Sequence, residues 1–508
     1  MKKLILILIV SWIGLNVSAQ SFDTYVKHNN SEFPVFDIIS LPNQNYIIGA
    51  TQIYSPGNYS TIIYKLSNNG QLLDSLEFDF PITNLYFKNQ EIYFFGSLNN
   101  SNQKDTIIIG IINPLVFDTL KVKKHISKKI SIAARSVIFS NYCNCFTVVG
   151  IAADINSNAL ALIYQVDSQL NILKEKYYDA WYSPVSGYPV FHGVLENPSK
   201  SGLWILSEPL DSITGWQGGA GAVIPIDSNL VRDSTTLNLL LTNQSYVNFA
   251  GDIGIIPEPF DGVKLTDSTY LFAGRILLEK FQGGNQVGLE DDMGYLIMDN
   301  NLNLVKSEFY GKSDTIDVSA FNMVDRNEDY VYLLSTSRIG GSLFGNFDNF
   351  FGLTKVDESG TRLWTKYYSS GNYKYAFSVG ATTDGGAIMV GRTYDGNKGT
   401  GPEYDIYVLK VDSNGNKSTT GIKDVKQISS SNFRIYPNPV KTQLHLLKVN
   451  DFRNYSFNLY DSFGREVMQK QWTANEQLIS TASLTPGVYI YRLIDSQGRV
   501  ASGKLVKQ

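Results

Sequence analysis

Apolar and polar residues alternate in short runs along most of this chain, and each run is entered through a polar turn. "TYLFAGRIL" (269–277), "YVYLLSTSR" (330–338) and "AIMVGRT" (387–393) follow "TDS", "RNED" and "DGG". Alternation of period two between clusters of Asn, Asp, Ser and Gly predicts β-strands, and no window of helical period is long enough to compete. The turn-plus-strand unit returns as "LPNQNYIIGATQ", "FKNQEIYFFGSLN", "FSNYCNCFTVVGIAA", "ENPSKSGLWILSEP", "LTDSTYLFAGRIL", "RNEDYVYLLSTSR" and "TTDGGAIMVGRTY". Aligned on the small residue after the apolar run, the copies fall at Gly49, Gly96, Gly150, Ser207, Gly274, Ser335 and Gly391, with a mean spacing of 57 residues. A second element, two alternating strands around an Asn/Asp/Gly turn, recurs between them, as in "ALIYQVDSQLNILKEKYY" and "FGLTKVDESGTRLWTKYY".

Four strands per unit, repeated radially, leave only short protected edges. The prediction is therefore an all-β chain whose body is a seven-bladed β-propeller, with six or eight blades or two packed β domains as the competing arrangements. The 31 Tyr and 27 Phe suit pleated, half-buried surfaces and supply an ample core.

The termini read differently. Lys2 and Lys3, the apolar run Leu4 to Leu15 and the small residues Val17-Ser18-Ala19 predict a signal peptide, cut between Ala19 and Gln20. That run is too short to span a bilayer, and no later segment approaches the needed length. Residues 417–431 are short of large aromatics and rich in Ser, Thr and Lys, which predicts a linker. Beyond it, "YSFNLYD" and "GVYIYRLID" alternate between the turn signals "DSFG", "LTPG" and "DSQG", predicting a small immunoglobulin-like β-sandwich. The expected division is 1–19 signal peptide, 20–416 propeller, 417–431 linker and 432–508 sandwich.

Charge changes the picture of partners. Residues 432–508 hold ten Lys/Arg against five Asp/Glu, whereas the body between the signal peptide and the sandwich is strongly acidic. Such a body lacks the basic footprint that phosphate backbones require, which excludes nucleic acid as its partner. The only two cysteines, Cys143 and Cys145, are read as two small buried side chains on one strand face, with a strained disulfide or a metal or redox pair as the alternatives.

Candidate chemistry is sparse. His28, His125, His192 and His445 are too far apart in sequence for a local zinc motif. "AFSVG" (376–380) and "GGSLFG" (340–345) lack parts of a nucleophile elbow, so no catalytic residue is assigned. No cofactor is expected, although the turns at Asp412-Asn414-Asn416 and Asp325-Asn327-Asp329 have a spacing that could wrap calcium. "TGWQGGAGAV" (214–223) predicts a glycine-rich loop that could present Trp216 to a sugar or peptide.

Words such as "DGGAIMVGRT" and "DIYVLKVDSNGN" resemble the propeller-like repeats of exported Bacteroidetes proteins, which implies a surface scaffold. "FRIYPNPV", "NLYDSFGREV" and "LSTASLTPGVYIYRLIDSQGRVASGKLVKQ" resemble, block by block, the C-terminal sorting domain of type IX secretion cargo. On that resemblance Tyr436, Pro437, Asn438 and Pro439 open the domain, Gly464 closes its middle hairpin, Gly487, Val488 and Tyr489 start the penultimate strand and Lys504 lies in the last. It implies passage through the periplasm, recognition of 432–508 by the type IX translocon and its sortase, cleavage in the linker, and a secreted or surface-attached product. The expected function is a non-enzymatic scaffold binding an unidentified glycan or protein, with a polysaccharide hydrolase as the alternative.

Overall fold

A computed structural model describes residues 21–508 apart from 27–34, 56–57, 99–104, 130, 155, 157–158, 179–189, 198–201, 209–221, 232–245, 250–251, 283–284, 312–315, 339–348, 370–372, 395–403, 418–432, 450–453, 462–464 and 496–499. The chain separates into two units, Met1–Thr419 and Thr420–Gln508.

In the first unit, β1 (Phe22–Val26) is followed by the antiparallel group β2 (Val35–Ser40), β3 (Tyr46–Ser55), β4 (Asn58–Leu66) and β5 (Leu72–Phe78). The next group is β6 (Ile82–Lys88), β7 (Glu91–Leu98), β8 (Thr106–Asn113) and β9 (Asp118–Ile126), and the third is β10 (Ser131–Ser140), β11 (Cys145–Ala153), β12 (Ala159–Val166) and β13 (Ile172–Tyr178). Three strands make the fourth group, β14 (Val190–Asn197), β15 (Gly202–Glu208) and β16 (Ala222–Ile226). Five make the next: β17 (Tyr246–Phe249), β18 (Asp252–Lys264), β19 (Thr269–Gln282), β20 (Asn285–Asp299) and β21 (Leu304–Phe309). Then come β22 (Ile316–Arg326), β23 (Tyr330–Arg338), β24 (Asn349–Asp357) and β25 (Arg362–Tyr368). The last group, β26 (Tyr373–Ala381), β27 (Ala387–Tyr394) and β28 (Tyr404–Val411), takes β1 as its fourth strand, with Phe22 opposite Lys410 and Val26 opposite Ile406. A single parallel pair, Asn322 with Ser378, joins these two groups into one eight-stranded sheet.

The leading strands are neighbours in a closed cycle: β2, β6, β10, β14, β18, β22, β26 and β2 again. This is the arrangement of a β-propeller, and the N-terminal strand closes it. Because each sheet is covered on both faces, strands such as β7 ("EIYFFGSL") and β8 ("TIIIGIIN") are apolar almost throughout. The core lies between neighbouring sheets: Phe95 and Ile109 of one pack with Phe146 and Leu162 of the next.

The small residues that align the repeat have a common cause. All seven lie on the strand that follows the leading strand of their group, and each pairs with a leading-strand residue bordering a register shift: Asp37 with Gly49, Ile82 with Gly96, Ala134 with Gly150, Phe191 with Ser207, Pro259 with Gly274, Ser319 with Ser335, Ala376 with Gly391. A β-bulge in the leading strand pushes its backbone toward its neighbour. A Cβ added at Gly96, Gly150 or Gly391 would collide with the carbonyl of Pro81, Ala133 or Tyr375. The recurring word in the sequence is thus the footprint of a bulge.

The second unit carries β29 (Phe433–Tyr436), β30 (Gln443–Lys448), β31 (Tyr455–Tyr460), β32 (Glu466–Trp472), β33 (Glu476–Ser480), β34 (Gly487–Asp495) and β35 (Val500–Lys507). They form a sheet β29-β30-β33 and a sheet β32-β31-β34-β35 around Leu444, Leu446, Tyr455, Phe457, Leu459, Trp472 and Leu493. This is the expected immunoglobulin-like sandwich.

The cysteine reading is corrected. Cys143 and Cys145 are joined in a disulfide, with Cα atoms 5.1 Å apart. Only Cys145 lies on a strand; Cys143 belongs to the turn 141–144, whose Asn144 has a left-handed backbone (φ 50°), so the chain between the two sulfurs is folded rather than extended.

Candidate functional site

The two faces of the propeller are built differently. On one, the strands of each group are joined by short turns that carry the links between groups. In five of these turns an aspartate caps the backbone: Asp227 Oδ1 accepts from the N–H of Asn229 and Val231 (2.9 and 2.7 Å), Asp299 from Asn301 and Asn303 (both 2.8 Å), and Asp412 from Asn414 and Asn416 (2.9 and 2.7 Å). Asp167 and Asp357 do the same. The fourth residue of each turn has positive φ, and where it is Leu170, Leu230 or Leu302 rather than glycine its side chain is buried. The turn's carbonyls then receive a lysine or tyrosine from the preceding group. Lys65 Nζ donates to Pro114 O (2.6 Å), Lys174 Nζ to Ser228 O (2.6 Å), Lys306 Nζ to Gly360 O (2.8 Å), Tyr178 Oη to Leu230 O (2.8 Å) and Tyr368 Oη to Gly415 O (2.8 Å). The carboxylate of the calcium candidate Asp412 is engaged in this capping, and Asn327 Oδ1 caps its own turn by accepting from Asp329 and Tyr330.

A second set of links runs around the leading strands. Asp37 Oδ1 accepts from Ile38 N–H (2.9 Å) and Ser378 Oγ–H (3.2 Å), and its Oδ2 from Leu85 N–H in the next group (3.0 Å). Asp261 Oδ2 likewise receives Val324 N–H (3.0 Å), and Asp325 Oδ2 receives Ala381 N–H (2.7 Å). Desolvation raises these carboxyls, Asp37 and Asp261 to about 7 and Asp325 to about 6, against the lowering effect of the same backbone donors. Each backbone bond ties one leading strand to the next, which is a structural task. Ser378, the serine of "AFSVG", is spent on Asp37 rather than on a histidine.

The sign of their pH dependence follows. A carboxyl raised in the fold binds its proton more tightly than in the unfolded chain, so stability is greatest below the ordinary value near 4 and falls as pH rises toward 7. Lys374 on β26 acts in a different window: burial lowers it to about 6, so stability rises again as pH climbs from there toward the ordinary lysine value. Thermal melts are expected to show a higher Tm at pH 4.5 than at pH 6.5, and Lys374→Met should flatten the limb above pH 7. A profile without the acid-side decline would contradict the structural reading of the three aspartates.

The opposite face receives the remaining connections. The strand ends joined by 179–189, 209–221, 339–348 and 395–403 lie there, as does the extension of β19 and β20, which at 14 and 15 residues are among the longest strands of the chain. Trp216 belongs to 209–221 and lies outside the described residues, as do His28, Ala19, Gln20, "GGSLFG" and Gly464. Of the other histidines, His125 Nε2 contacts Leu170 O (2.8 Å), His445 Nδ1 contacts Glu476 Oε1 (3.0 Å), and His192 lies on β14.

The predicted residues of the second unit come together. β29 ends at Tyr436, and the peptide bonds before Pro437 and Pro439 are both cis. Between them Asn438 is aimed at the last strand: its Nδ2 donates to Lys504 O (2.7 Å) and its Oδ1 accepts from Val506 N–H (2.9 Å). Val440 continues this with N–H to Val506 O (2.8 Å) and its own carbonyl to Gln508 N–H (2.9 Å). The Pro-Asn-Pro turn is thus a clasp on β35, whose other edge pairs with β34, Val488 opposite Val506 and Ile490 opposite Lys504. Tyr489 is buried and its Oη donates to Thr485 O (2.8 Å), while Val488 and Ile490 face solvent.

That construction matches a known family. Residues 434–508 are a secretion system C-terminal sorting domain. The sorting domain marks its chain as cargo of type IX secretion, to be released or attached at the cell surface. No curated protein matches the chain. Among solved structures, the chain is similar to the β-propeller domain of the Trilobed protease from Pyrococcus furiosus (11% identity, TM-score 0.37, covering 72% of this chain and 97% of that one). It is also similar to BamB from Moraxella catarrhalis (8%, TM-score 0.33, 76% and 100%) and to the AfRom2 CNH domain (10%, TM-score 0.38, 77% and 99%). Among the described residues no helix is long and apolar enough to cross a membrane, and no three His, Cys, Asp or Glu side chains gather as a metal site.

Proposed function

We propose that the exported body is a seven-bladed propeller that binds a glycan or a protein at the face of its long connections, without transforming it, after a signal peptide has been removed at Ala19-Gln20. The observation that carries this reading is the division of labour between the faces. The short-turn face and the leading strands are consumed by bonds from one group to the next, including the carboxyls that a polysaccharide hydrolase would otherwise enlist. What is left for ligand contact is the other face, where loops on a rigid scaffold commonly carry recognition. Trp216 sits in its longest second-to-third-strand connection, and an aromatic beside glycines can stack on a sugar or anchor a peptide.

The test is a glycan array run with the mature chain, alongside a hydrolysis screen on the same sugars. Binding without product is expected, and Trp216→Ala should weaken it about tenfold or more, the scale of an aromatic anchor. Release of reducing ends that tracks the purified chain would replace this reading with the hydrolase.

A further inference from the structure

The disulfide lies in the turn 141–144 between β10 and β11, two strands already paired at Ser140 and Cys145. It encloses one intervening residue. A crosslink stabilises mainly by restricting the unfolded chain, and its contribution is smallest where the closed loop is shortest. The turn is also held without it: Tyr142 N–H and Asn141 Nδ2 donate to Glu196 Oε1 and Oε2 (both 3.0 Å), and Gln165 Nε2 donates to Tyr142 Oη (2.6 Å). A bond that adds little as a staple leaves room for a chemical role. The two sulfurs are placed unequally for it, since Cys145 is fully buried and Cys143 only half-buried.

We propose that Cys143–Cys145 is a thiol–disulfide exchange site for small-molecule thiols. An incoming thiolate attacks Cys143 Sγ, the S–S bond breaks, and Cys145 leaves as the thiolate, which takes up the proton lost by the thiol. A second thiolate attacks the small molecule's sulfur in the mixed disulfide and frees Cys143. Two thiols are oxidised to one disulfide by two electrons, and the protein's disulfide is reduced to two thiols. The Glu196 and Gln165 contacts keep the turn folded in both forms, so exchange proceeds without unfolding.

The full mature chain is incubated with reduced glutathione, quenched with iodoacetamide and mapped by peptide mass, with circular dichroism recorded in parallel. Alkylation of both cysteines, with oxidised glutathione appearing and the β signal unchanged, is the expected result. Labelling only after denaturant, loss of fold on reduction, or reduction by a dithiol protein but not by glutathione would each overturn the proposal. Two variants check the order of attack. Cys145→Ser should form a mixed disulfide with oxidised glutathione at Cys143 at least about tenfold faster than Cys143→Ser does at Cys145, because access sets the rate. Equal rates would also overturn it.

Discussion

Deletion of residues 434–508 is expected to abolish delivery: the truncated chain collects in the periplasm and vanishes from the cell surface and the medium. Fractionation followed by immunoblotting reads the result, and surface protein from the truncated chain would refute the assignment. The sorting domain has its own core, with Tyr455, Phe457, Leu459 and Trp472 fully buried, so it is a folded object in its own right. Its clasp gives a graded second variant. Asn438→Ala removes two exposed hydrogen bonds to β35, from Val506 N–H and to Lys504 O, each with a net worth of about 0.5–1.5 kcal/mol because water can take the lost partner's place. The sorting domain should melt earlier, and delivery should fall without disappearing.

Asp384→Ala is expected to cost the propeller about 3–5 kcal/mol, the penalty for stranding a buried charge. Lys410 has no exposed side-chain surface, and its Nζ lies 2.9 and 3.0 Å from the two Asp384 oxygens and 2.9 Å from Val411 O. Burial lowers Lys410, and Asp384 opposes that; the carboxyl itself is held below its ordinary value by Thr382, Lys410 and Gly386, against its own desolvation. The double variant Asp384→Ala/Lys410→Met removes both charges and should recover most of the loss in denaturant melts. If it is no more stable than Asp384→Ala, the pair is not what holds the "DGG" turn to β28.

Much of the fold was legible because local chemistry and global architecture demand the same residues. Gly49, Gly96 and Gly391 announced themselves as small residues after an apolar run, and the bulge in each leading strand is why they must be small. The aspartate turns were equally readable, since Asp299 and Asp412 cap the hairpins they sit in. Features that join distant segments were not. β1 is five ordinary residues whose role depends on a partner strand at 404–411. Asp37, Asp261 and Asp325 share only their places on leading strands, and their partners Leu85, Val324 and Ala381 are revealed by the ring alone. The disulfide is not legible because strand alternation stops at the turn, where the left-handed Asn144 folds the chain and brings the two sulfurs together.

The closing strand also sets an order of events. Phe22–Val26 is the first of the described strands and its partner Tyr404–Val411 the last of the propeller, so the ring cannot be sealed until the whole body has been synthesised. The sorting domain is synthesised only after that partner. A chain broken off before Tyr404 therefore lacks both the strand that pairs with β1 and the sorting domain.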